Sequence, residues 1–258
     1  MKFCFCIHVL IYLLLPISNL FAIDNYYNEN NIENSKNYDS ILWYKTSAEK
    51  IAIYREIFEL SKPILLNAKK NKIKSGYVCG VVFDIDETIL DSSEFNYKIL
   101  QEGKEYGSSS WKKYANASKY TIAIPGASDI TNYVHSIGCI VNIVTNRSTL
   151  TLLPTKEILN KYNIYYDQIL FVETGIKDKD KNSRFKAIIN GKYPSKIKYK
   201  QQIIAYYGDN IQDFPDSYQK NYFNKDSSNN IYDKFGTEYF CLPNPMYGSW
   251  TNNKINNN

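Results

Sequence analysis

Residues 81–91, VVFDIDETILD, place two aspartates spaced by two, Asp84 and Asp86, at the end of an apolar run, with Glu87, Thr88 and Asp91 close behind. Carboxylates this dense beside a buried strand repel one another and are costly to desolvate. Residues i and i+2 of a strand face the same side, so Asp84 and Asp86 can serve one reacting centre. Asp84 suits nucleophilic attack on phosphorus, and Asp86 suits protonating the departing oxygen and then deprotonating the hydrolytic water. Two further apolar runs end in the same kind of chemistry: Thr145-Asn146-Arg147, and GDNIQDF with Asp209 and Asp213. Four aspartates at one edge require a cation, and a hard divalent ion such as Mg²⁺ takes oxygen ligands and bridges to phosphate. The Thr145 hydroxyl and a lysine suit the charge of a phosphoryl group.

These residues need a parallel sheet to bring them together. YVCGVVFDI, CIVNIVT, QILFV and QIIAYYG read as short buried strands, and residues 127–137, 148–162 and about 179–190 read as helices between them. That alternation predicts an α/β fold, a doubly wound parallel sheet with helices on both faces, and in such sheets ligands bind at the carboxyl ends of the strands. Ahead of it, residues 41–70 carry Ile51, Tyr54, Ile57, Phe58 and Leu60 at helical spacing, with Ser47 as a cap and a break or kink at Pro63. The aromatic, polar stretch 92–124 interrupts the alternation and suits a cap over the site. Glu87 and Asp91 read as helix-start or loop residues.

The first 22 residues, one lysine followed by an apolar run and Ala22, read as a cleaved secretory signal. Cys4 and Cys6 lie too early to be lipidated, so no stable membrane anchor is expected after cleavage, and the mature chain is expected to be periplasmic or secreted. Residues 23–39 read as a flexible N-terminus, 40–250 as one catalytic domain with 40–75 and 92–124 contributing a helical cap lobe, and 251–258 as a disordered tail. Loss of Lys2 leaves 30 basic residues against 26 acidic, a net charge of +4 spread along the chain. This mild charge suits small phosphorylated molecules and not a nucleic acid polymer. Beyond residue 22 the only histidine is His135, which excludes histidine phosphatases and histidine triads. Cys79, Cys139 and Cys241 each lie in an apolar, strand-like run and read as buried free thiols; no spacing suggests zinc.

DIDET, TNR, a lysine region and GDNIQDF resemble the four signature segments of the haloacid dehalogenase superfamily, in its four-aspartate phosphatase branch. LWYKTSAE, FDIDETILD, Trp111 with the PGA at 125–127, VTNR and FGTEYFCLPNPMYGSW resemble the class C acid phosphatases, which act on nucleoside monophosphates. The resemblance spans residues 41–250. It implies Asp84 as nucleophile and metal ligand, and Asp86 as general acid and base with its backbone carbonyl on the metal. It implies Asp209 as a direct metal ligand and Asp213 as one acting through water, with Mg²⁺ as cofactor. Thr145, Asn146 and Lys181 would bind phosphate, Lys181 also being catalytic, although Lys177 or Lys179 in the irregular run ETGIKDKDKNSR fits as well. Trp111 and Tyr247 would sandwich the base of a nucleotide. Ser92 stands where the family has asparagine, and the lipoprotein cysteine is absent. A phosphotransferase using the same aspartyl-phosphate, or a non-catalytic exported binding protein on this scaffold, remain as alternatives. The oligomeric state stays open, a dimer included.

Overall fold

A computed structural model describes residues 37–104, 107–117, 120–173, 180–215 and 232–253. The leader, all but the end of the 23–39 stretch, Lys177, Lys179 and most of the C-terminal tail lie outside the described residues. The sheet is built outward from β1 (Val78–Phe83). On one side lie β4 (Ile140–Ser148) and β5 (Gln168–Val172), on the other β6 (Gln201–Gly208) and β7 (Tyr239–Cys241), in the order β5-β4-β1-β6-β7. Every pairing in it is parallel. The remaining strands, β2 (Leu90–Asp91) and β3 (Ile122–Ala123), form a small antiparallel pair of their own.

Alternation along β1 assigns the two faces. Val81, Phe83 and Ile85 enter one apolar cluster, while Val82 enters the other with Val144, Leu170 and Tyr206. The first face is covered by α2 (Ala48–Lys72), α5 (Ala127–Ser136) and α6 (Leu152–Lys161), the second by α7 (Asn182–Asn190) through Phe185 and Ile188. The expected doubly wound α/β sheet with helices on both faces is therefore present.

Ser47 caps α2 by accepting from the Lys50 N–H. The helix does not break at Pro63. Glu59 and Pro63 both face solvent, so the carbonyl left without its donor can be served by water. Its buried stripe is Tyr54, Phe58, Ser61, Leu65 and Ala68, whereas Ile51 and Leu60 are exposed. Ser61 replaces Leu60 on the stripe because the Tyr207 hydroxyl donates to its Oγ (2.6 Å), which donates to the Phe58 carbonyl (2.7 Å).

The expected free thiols need correcting. Cys79 and Cys139 form a disulfide, and Cys241 is exposed at the end of β7. In the parallel register of β1 and β4, Gly80 lies opposite Ile140, which puts the two preceding cysteines side by side. His135 is exposed and stacks on Tyr165, a structural placement.

Over the carboxyl edge of the sheet lie α1 (Tyr38–Thr46), α3 (Ser93–Gln101) and α4 (Ser108–Ala117). The β2–β3 pair ties together the entry and exit of the segment carrying α3 and α4. α1 packs against α3, and Lys45 pairs with Glu94.

Candidate active site

The site begins where β1 stops. The Asp84 N–H donates to the Tyr207 carbonyl (2.9 Å), continuing the ladder with β6 by one residue. The chain then turns tightly, with the N–H groups of Thr88, Ile89 and Leu90 all donating to the Ile85 carbonyl. Ile85 enters the core, so Asp84 and Asp86 share the opposite side as strand periodicity requires. Glu87 has φ 52°, a left-handed conformation uncommon for glutamate. It is not a solvated loop residue. Its buried Oε1 accepts from the Ser92 N–H (2.8 Å) and Oγ (2.5 Å), and burial pushes the carboxyl well above its usual range. Asp91 does mark a helix start, accepting from the Ser93 N–H (2.8 Å), and it also forms a buried pair with Lys50.

Lys181, at the N-terminal boundary of α7, places its ammonium between two aspartates, 2.5 Å from Asp84 Oδ1 and 2.6 Å from Asp213 Oδ1. Burial opposes its charge, but Asp213 and Asp84 hold it above the ordinary lysine range. Asp209 completes the group: each of Asp84, Asp209 and Asp213 offers an oxygen, and these lie within 4.8 Å of one another. Burial pushes Asp84 up to about 7 despite Lys181, and Asp213 and Asp86 push the same way. Burial, then Asp213 and Asp84, raise Asp209 strongly. Gly208 makes room for this geometry, because a Cβ there would meet the Asp213 side chain at 2.2 Å.

Asp86 has separate company. Arg147 clasps it, Nε at 3.1 Å from both carboxylate oxygens and Nη2 at 2.7 Å from Oδ1, while Nη1 donates to Thr155. The three remaining carboxylates thus have one ammonium among them. The shortfall of two charges and the all-oxygen donor set fit a hard divalent cation.

A cavity of about 770 Å³ opens from these groups. Its wall includes Asp84, Asp86, Asn146, Lys181, Asp209 and Asp213, together with Trp111 and Tyr247. Thr145 is the expected residue that stays off the wall. It is fully buried, and its Oγ accepts from the Arg147 N–H (3.1 Å), leaving its own proton to donate. Trp111 meets Phe95 edge-on, and the Arg147 guanidinium lies 5.5 Å from its ring.

A family model described as HAD superfamily, subfamily IIIB (Acid phosphatase) matches residues 27–250. The chain belongs to this acid phosphatase family. It is a phosphoric monoester hydrolase. Two solved structures of the class C acid phosphatase from Bacillus anthracis share its fold with a TM-score of 0.68. One, with tungstate bound, is 27% identical and the other 26%; each match covers 83% of this chain and 86% of the other. The resemblance to class C acid phosphatases read from the sequence is borne out.

Several residues of this acid phosphatase site take partners that no motif marks. Arg147 was visible as the third letter of TNR, but its pairing with Asp86 depends on β4 lying beside β1. Arg184 donates to the Thr145 carbonyl (2.5 Å) and to Asn146 Oδ1 (2.6 Å), fixing the end of β4 from α7. Thr88 and Asn244 donate to the two oxygens of Asp209. Asn244 lies in LPNPM beyond β7, where its two flanking prolines signal a rigid turn but no partner.

Proposed function

We propose that this acid phosphatase is an exported, Mg²⁺-dependent enzyme acting on nucleoside 5′-monophosphates through an aspartyl-phosphate on Asp84. The observation that carries the reading is the Asp84–Lys181–Asp213 arrangement with Asp209 beside it, on the wall of a cavity far larger than a phosphate needs. Asp84 and Asp209 would hold the metal with their carboxylates, Asp213 through water, and Asp86 with its backbone carbonyl. When bound, Mg²⁺ supplies Lewis-acid neutralisation of phosphoryl charge.

This chain's own residues do the rest. An Asp84 oxygen attacks phosphorus as the ester P–O bond breaks, and Asp86, which must be freed from the Arg147 ion pair and protonated to act as the acid, gives its proton to the departing alkoxide. Asp86, now anionic, takes a proton from water, whose oxygen attacks the aspartyl-phosphate and releases inorganic phosphate and free Asp84. Lys181 and the Asn146 amide hold the phosphoryl oxygens, and Thr145, buried behind them, supports the end of β4 by accepting from the Arg147 N–H. That a similar acid phosphatase takes tungstate, a tetrahedral oxyanion, supports an oxyanion-sized subsite here.

Export is supported by the leader's composition and by the Cys79–Cys139 disulfide, a bond favoured in oxidising compartments. Among the described residues no helix is long and apolar enough to cross a membrane.

Trp111 and Tyr247 on the cavity wall support a stacked base, worth about 1–3 kcal/mol per ring. Trp111→Ala is expected to raise KM for AMP roughly tenfold while barely changing KM for a small aliphatic phosphate. Equal losses on both substrates would make Trp111 a packing residue of Phe95 and Tyr114, and would remove the nucleotide assignment.

A further inference from the structure

Asp209 is gripped from two sides by residues on loops far apart in the chain. Thr88 Oγ1 donates to Asp209 Oδ1 (3.2 Å), and Asn244 Nδ2 donates to Oδ2 (2.8 Å). The residue immediately before each gripping residue presents its backbone carbonyl to one and the same group. The Tyr54 hydroxyl lies 2.5 Å from the Glu87 carbonyl and 3.0 Å from the Pro243 carbonyl.

We propose that Tyr54 is a positioning residue for metal binding, its single buried hydroxyl tying together the two loops that hold Asp209. The inference rests on the reading of Asp209 as a metal ligand. The Tyr54 side chain has no exposed surface. A phenol carries one proton. With both carbonyls able only to accept, that proton is directed to them, and the neighbouring Tyr44 hydroxyl (2.8 Å) must be the donor in the pair they form. The two carbonyls thereby set the direction of the Tyr54 proton, and the Tyr44 hydroxyl follows it.

The geometry separates this role from packing. The Tyr54 ring lies on the buried stripe of α2 against Tyr44 and Phe58, contacts that phenylalanine would keep. The hydroxyl oxygen is what hydrogen-bonds to the two loops. Removing it leaves both carbonyls short of that donor and lets Thr88 and Asn244 shift independently, which broadens the placement of Asp209. Groups that orient a metal ligand typically change metal affinity by about 10–100-fold when removed. Tyr54 acts one step further out, so a smaller loss of roughly three- to tenfold is expected.

The test is calorimetric titration of chelator-treated, dialysed full-length protein with Mg²⁺, without substrate, on wild type, Tyr54→Phe, Tyr44→Phe and Asp209→Ala. Wild type is expected to bind and Asp209→Ala to lose binding. Tyr54→Phe should bind roughly three- to tenfold more weakly, and Tyr44→Phe should stay within about twofold of wild type. At saturating Mg²⁺ the Tyr54→Phe enzyme should recover kcat to within about twofold, a split that general loosening of the fold would not produce. Wild-type affinity in Tyr54→Phe, or equal loss in both tyrosine variants tracking a fall in Tm, would overturn the inference alone. Absence of binding by wild type would overturn the metal reading beneath it as well. Should Tyr54→Phe not fold, hydrogen exchange on wild type decides. Mg²⁺ is expected to slow amide exchange in segments 86–90 and 242–247 together, and protection of only one of them would overturn the proposal.

Discussion

Asp84 and Asp86 are two residues apart and have different counterions, and that difference separates their chemistry. Asp86 is paired with Arg147, whereas Asp84 shares Lys181 with Asp213 inside a crowd of buried acids. The pair itself was legible in DIDET, because period-two spacing puts both groups on one face. Their partners were not, since Arg147 and Lys181 come from elements that only the folded sheet brings near. Crowding also sets a pH dependence. In metal-free protein Asp84 is raised from 3.8 to about 7, first by burial, and Asp209 moves in the same direction. A carboxyl raised on folding binds more protons in the native state, so its stabilisation is complete below the unfolded pKa and is lost as pH rises through the folded one. Protein in excess chelator is therefore expected to show a falling urea midpoint from about pH 4 to pH 7. Added Mg²⁺ should raise the midpoint at the upper end by binding the native state. A chelated protein whose midpoint climbs across that window would contradict the buried-acid description.

At the scale of elements, the strands announced themselves through short β-branched and aromatic runs, and each functional group followed a run that ended in polar residues. QILFV proved to be β5 residue for residue. Asn142, a polar interruption of CIVNIVT, is accommodated because it accepts from Gln168 (2.6 Å) on the neighbouring β5 and donates to Gln201 (2.8 Å) on β6, beyond β1. β7 is only three residues long, and its pairing to β6 has no local signal. The Cys79–Cys139 bond was hidden for a related reason, since strand composition does not reveal which strands are neighbours. The bond closes a long loop, with a sequence separation of 60. The chain-entropy estimate for such a loop is about 4 kcal/mol, an upper value because engineered losses usually fall short. Cys79→Ala with Cys139→Ala is expected to lower unfolding free energy by about 2–4 kcal/mol in urea titrations, with kcat little changed. Unaltered stability under reducing and oxidising conditions alike would mean the two thiols are not joined in solution.

For the whole molecule, the parallel order β5-β4-β1-β6-β7 carries all five strand ends to one edge, and this is why motifs spread from residue 84 to residue 213 act as one site. That the sheet is parallel follows from strand–helix alternation and was legible; which strands are neighbours was not. The cavity is a different matter. Its walls join Ile41 of α1, Phe95 of α3 and Met246 beyond β7, residues that no local pattern connects. Trp111 and Tyr247 were found through resemblance, not periodicity. The account as a whole depends on one bond, from an Asp84 oxygen to phosphorus, and that bond can be tested by a single substitution. Asp84→Asn preserves shape and removes the attacking charge. Hydrolysis of p-nitrophenyl phosphate in saturating Mg²⁺ should fall to background in this variant, while circular dichroism and Tm show it folded, because losing covalent catalysis costs far more than tenfold. A folded Asp84→Asn enzyme retaining more than about a tenth of wild-type turnover would place the nucleophile elsewhere and contradict the account.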